Sequence, residues 1–150
     1  MSIFDVSSIM NVELAQELDT VSIPHPEGDY MFKIVKMEPR AWTKKDDPTK
    51  NGVALDITLE AMDQDVLTEL GVEKCIIRGG IPLEIADDGK TLAQGSNKNV
   101  PLGKFLDAVD CNRPGVPLTA ALNQIVMVKV VHEIVDEVPY AKAKKFAKVE

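Results

Sequence analysis

The chain is poor in the residues that most catalytic and metal-binding proteins depend on. Its 150 residues include two cysteines, one tryptophan, two tyrosines, four phenylalanines and two histidines. Two cysteines do not make a disulfide framework. Cys75 falls in an apolar run and Cys111 at the end of a helical pattern, so both are expected as buried thiols in a reducing compartment. His25 stands between prolines and His132 inside a strand-like run. Neither has a carboxylate or cysteine at ligand spacing, so no metal site is expected. No serine, threonine or cysteine sits in a nucleophile motif. Gly28 and the pair Gly79 and Gly80 match no nucleotide-binding fingerprint. Asp46, Asp47, Asp87 and Asp88 suit turns better than a calcium loop. The expectation is a protein without enzymatic activity and without a cofactor.

Two further absences bear on location and partners. No apolar run approaches the roughly 20 residues that cross a bilayer, and the first residues lack the basic and apolar segments of a signal peptide. A soluble, cytoplasmic protein with no membrane partner is expected. Residues 1–32 contain six acids and no lysine or arginine, whereas residues 33–50 contain six bases against three acids. A net charge of −7 argues against nonspecific coating of duplex DNA, which depends on neutralising phosphates. A basic stretch on an acidic body is still suited to a single strand.

The length suits one domain. Residues 1–23 read as an N-terminal arm with a short helix within residues 8–18. Its apolar residues (Ile3, Phe4, Val6, Ile9, Met10, Val12, Leu14 and Leu18) follow no clean period. They are expected to dock on another subunit or across the body, which makes a homo-oligomer the expected state. Pro24 and Pro26 then favour extended backbone, and residues 24–150 read as a barrel domain.

The clearest strand spans residues 52–62, where Val53, Leu55, Ile57, Leu59 and Ala61 alternate with Ala54, Asp56, Thr58 and Glu60. A first strand covers residues 28–38. Between the two, residues 39–52 are expected to form a long basic loop carrying Trp42. Gly71 is placed to cap a helical turn over residues 64–70. Residues 72–85 predict a strand bent or bulged at Gly79 and Gly80. A turn at Asp87, Asp88 and Gly89 and a surface loop over residues 90–99 follow. Asn99 is placed to cap a helix with Pro101 in its first turn and Leu102, Phe105, Leu106 and Val109 on one face. Residues 124–135 are rich in β-branched residues and predict a strand. Asp136 and Glu137 reverse the chain into a last strand over residues 140–149, with Tyr140, Lys142, Lys144, Phe146 and Lys148 on one side.

The result is a mainly β protein with one or two helices. Its element order is that of an OB-fold, a five-stranded Greek-key barrel with a helix between the third and fourth strands. A plain α+β sandwich uses the same elements.

Several stretches resemble a known family. They are Pro26 to Tyr30 opening the first strand, residues 52–60 as the second, residues 102–109 as the helix, and residues 126–131 followed by 140–149 as the ending. Over residues 24–149 the layout resembles small OB-fold single-stranded DNA-binding proteins of tailed phages and prophages. The resemblance implies a non-catalytic binder of single-stranded DNA, or of RNA, acting in phage replication or recombination in the host cytoplasm beside other phage proteins. Such binders often end in an acidic tail that recruits partners. This chain instead ends in a lysine-rich segment, Lys142, Lys144, Lys145 and Lys148, which puts recruitment by the tail in doubt.

The candidate binding residues are Lys33, Lys36, Arg40, Trp42, Lys44 and Lys45, with Tyr140, Lys142, Lys144 and Lys148 from the last strand. Trp42 has two readings: an indole stacking on a base among cations, or a cap folded onto the barrel. Phe146 is expected in the core and Tyr140 at the surface. The rival to nucleic-acid binding is a capsid or tail component of the virion that uses the barrel for protein contacts. Overall acidity, few aromatics and the apolar arm favour that rival.

Overall fold

A computed structural model describes residues 6–149, so Ile3 and Phe4 of the arm lie outside the described residues. Five strands form a single antiparallel sheet: β1 (Gly28–Lys44), β2 (Asp47–Ala61), β3 (Ile76–Leu83), β4 (Ile125–Val135) and β5 (Val138–Ala147). Their order across the sheet is β3-β2-β1-β4-β5. Helix α1 (Gln64–Leu70) joins β2 to β3, and α2 (Val100–Ala108) lies between β3 and β4. Among the described residues the protein is mainly β with two α-helices, and no ladder of hydrogen bonds closes β3 onto β5. Among the described residues no helix is long and apolar enough to cross a membrane.

The core collects the inward positions of every strand. Phe32, Ile34, Leu55, Ile57, Leu59, Ile77, Ile81, Val126, Val128 and Val130 are buried, and Leu102, Phe105, Leu106 and Val109 close over them from the helix side. Those four fall on one face because they recur at the helical period. Phe105 meets Phe146 edge-on at 5.0 Å between ring centroids, a geometry that adds about 0.5–1.5 kcal/mol to the area buried. Phe146 is half-buried and packs against the core.

Two bulges set the faces. In β1 the register with β2 slips between Ile34 and Lys36, so Ile34 faces Leu59 and, beyond the slip, Met37 faces Ile57. In β5 the slip leaves Lys144 between Lys145, opposite Lys129, and Ala143, opposite Val130. An extra residue shifts the period-two alternation. Tyr140 and Lys142 therefore do not share a side with Phe146, contrary to simple alternation from residue 140 to residue 148.

The expected bulge at Gly79 and Gly80 is absent, since β3 keeps continuous register from Ile76 opposite Glu60 to Leu83 opposite Val53. Pro82 is tolerated because β3 is an edge strand with no neighbour on its far side. Gly79 has a different use. A Cβ there would lie 3.6 Å from the Ala143 Cβ and 3.7 Å from Phe146 Cζ, so anything larger than alanine would push β5 away from β3.

Asn99 precedes α2 but does not cap it with its side chain. The side chain instead accepts from the Glu84 backbone N–H at 2.7 Å and donates to the carbonyls of Glu84 and Ala93, tying the loop to the end of β3. Gly71 caps α1 as the sequence implies, taking φ 71°, and at the other end Asp63 accepts from the Asp65 and Val66 N–H groups. Asp136 and Glu137, both at positive φ, make the two-residue turn whose twist matches a hairpin.

The arm begins with a short 3-10 helix, Val6–Asn11, and residues 7–23 are exposed throughout. Its root is fixed. His25 is buried against Tyr30 and Phe32, its carbonyl accepts from His132 Nε2 at 2.7 Å, and the Glu27 carboxylate accepts from the His132 N–H at 2.9 Å.

Candidate nucleic-acid interface

The long loop expected over residues 39–52 is not a loop. Strands β1 and β2 continue through it, with Arg40 opposite Ala54, Trp42 opposite Gly52 and Thr43 opposite Asn51, and the chain reverses at Lys45 and Asp46. β4 pairs with β1 only over residues 28–33, and β3 pairs with β2 only over residues 53–60. The end of the hairpin is thus a two-stranded ribbon without a third strand, a structure that is marginal in water by itself.

Trp42 supports the ribbon from within. Its indole lies against Gly52, where an added Cβ would come within 2.7 Å of Cζ2. A glycine opposite an aromatic residue lets the ring cover exposed backbone. The indole stays 39% exposed, so it neither caps the core nor hangs from a loop.

The face that carries Trp42 runs back along β1. Opposite pairs in an antiparallel ladder share a face, which places Lys36 with Thr58, Glu38 with Asp56 and Arg40 with Ala54 beside Trp42 and Gly52. β3 extends the face, setting Arg78 opposite Thr58 and Gly80 opposite Asp56. Lys36, Arg40, Asp56, Thr58, Arg78 and Gly80 border a groove of about 530 Å³. Lys33, opposite Glu60, continues the row on the near side of the bulge.

Ion pairs divide these cations. Arg40 Nε donates to Asp56 Oδ2 at 2.8 Å, and that hydrogen bond, followed by the charge of Asp56, holds the guanidinium pKa above its ordinary value. Lys36 Nζ lies 3.3 Å from Glu38. Among the described residues, Lys33 and Arg78 have no carboxylate within 4 Å. Both are free to meet an incoming anion.

The remaining candidates are scattered. Lys44 closes β1 opposite Asp47 and Lys45 occupies the turn, so both mark the exposed tip of the ribbon. Tyr140 and Lys142 stand opposite Glu133 and Val131, and Lys142 Nζ is 3.5 Å from Glu133. Lys144 occupies the bulge and Lys148 follows the end of β5. No lysine of β5 borders the groove. Tyr140 lines a neighbouring hollow that also includes Arg78. Arg78 is the residue that sequence reasoning missed. Its signal was a base just before two glycines in a strand, at a position whose alternation matches Thr58.

The other chemistry-bearing side chains serve the fold. Among the described residues no group of three His, Cys, Asp or Glu could hold a metal ion. Both cysteines are free; Cys111 is buried and Cys75 half-buried, and burial pushes the Cys75 thiol pKa up. No family model, curated protein or solved structure matches the chain.

Proposed function

We propose that the chain binds single-stranded nucleic acid, DNA first, across the β1–β2–β3 face and along the ribbon, and that it performs no chemistry on its ligand. The observation that carries this reading is the row Lys33, Lys36, Arg40 and Trp42 on one face, with Arg78 across the groove. Cations spaced along a strand follow a phosphate backbone, while an exposed indole gives a base a surface to stack on whatever its identity. Lys44 and Lys45 extend the path to the ribbon tip. The element order, the helix between β3 and β4, and the close approach of β3 to β5 at Gly79 support an OB-type barrel closed through side chains rather than a ladder. Together with the family resemblance, this favours a role in phage replication or recombination.

Titration of Trp42 fluorescence with oligo-dT tests the reading. Four unpaired cations (Lys33, Lys44, Lys45 and Arg78) give an expected slope of log K against log salt of about −3 for a single strand. Affinity should depend on length over roughly 4–16 nucleotides and be weaker for duplex, because stacking needs open base faces. Absence of binding at low salt overturns the proposal and leaves the virion-component reading as the better account.

A further inference from the structure

A second hollow, of about 750 Å³, lies between the start of β3 and the start of β5. Val72, Ile76, Ile77 and Pro139 give it an apolar lining, Lys74 and Arg78 add cations, and no carboxylate borders it. β3 and β5 are the two edges of the sheet, so the backbone groups on their outer sides are open to an added chain. Segment Thr20 to His25, the root of the arm, forms one wall.

The arm matches this hollow in two respects. Residues 7–23 expose Ile9, Met10, Val12, Leu14 and Leu18, with Leu14 64% and Leu18 69% exposed, far more apolar surface than a free segment normally leaves in water. The same residues carry Glu13, Glu17 and Asp19 and no base, complementing Lys74, whose own carboxylate neighbour, Glu60, lies as far as 3.9 Å away. They hold no glycine or proline to make the tight reversal that would bring the arm back past its own root.

We infer that the arm of one chain docks in the β3–β5 hollow of a second copy, its leucines in the apolar floor and its acids on Lys74. Reciprocal exchange of two arms closes the assembly as a two-fold dimer. The groove proposed for the strand adjoins this hollow and keeps Arg78; the cross-link below is read without nucleic acid, so the exchange stands whether or not that groove binds a strand.

Cys75 lines the hollow and supplies a native probe. One chain carries Leu14→Cys with Cys75→Ser; the other keeps Cys75, has no added cysteine and bears a size tag. Mild oxidation of the mixture should give a disulfide-linked heterodimer on a non-reducing gel, lost when the tagged chain also carries Cys75→Ser. Leu18→Cys serves as the second position. Light scattering should give twice the chain mass of 16.4 kDa for the full chain and a monomer after deletion of residues 2–18. A monomeric full chain, a dimer that survives the deletion, or no heterodimer from either Leu14→Cys or Leu18→Cys would each overturn the exchange.

Discussion

Strand β1 carries two large aromatic residues, Phe32 and Trp42, under opposite constraints. Phe32 lies between partner strands on both sides, opposite Ala61 of β2 and Val126 of β4, and is fully buried. Trp42 has a partner on one side only and rests on Gly52, exposed to solvent. Where three strands meet, burial dictates the residue type; where two strands stand alone, both faces are wet and the side chains are available for binding. The same strand is core at one end and candidate interface at the other.

Truncating both aromatics separates these roles most sharply. Phe32→Ala removes a fully buried ring, with an expected loss of about 3–5 kcal/mol of stability in denaturant unfolding, and oligo-dT affinity should change little while the protein remains folded. Trp42→Ala should do the reverse. It is expected to cost about 1–3 kcal/mol of oligo-dT affinity by loss of a stack, with the salt slope unchanged, since no charge is removed. If Trp42→Ala unfolds the protein as Phe32→Ala does, the ribbon belongs to the core and the contrast fails.

Replacing Lys44 and Lys45 together by alanine probes the ribbon tip without touching the indole. Salt titration of oligo-dT binding should show a slope flattened by about 1.4 if both meet phosphates. An unchanged slope would confine the contact to the groove beside Arg78.

The smallest effect is expected from Gly52→Ala. The added Cβ displaces the indole from its seat, so tryptophan emission should shift to the red while stability changes by less than about 1 kcal/mol, the span of strand propensities. Unshifted emission would mean that Trp42 does not rest on Gly52 in solution.

Legibility in the sequence followed burial. Alternation from Val53 to Ala61, the helical spacing of Leu102, Phe105, Leu106 and Val109, and the β-branched run from Ile125 each report one face against a common core, and each became the element it implied. The ribbon was misread because strands exposed on both faces have no reason to alternate, so Arg40 to Asn51 looked like a polar loop. The glycine pair looked like a break because a sequence does not reveal that β5 must pass close by Gly79.

What the sequence by itself determined is therefore the set of elements and their order, since periodicity and turn residues act locally. Tertiary structure alone decided the faces. A single bulge residue, Val35 in β1 or Lys144 in β5, reverses which side every later residue presents, and bulges arise from the coiling of the whole sheet. The bulge in β1 keeps Lys36, Arg40 and Trp42 on the face of Arg78, while strand order keeps Lys142, Lys144 and Lys148 apart from them, because β4 and β1 lie between β5 and the β2–β3 side of the sheet.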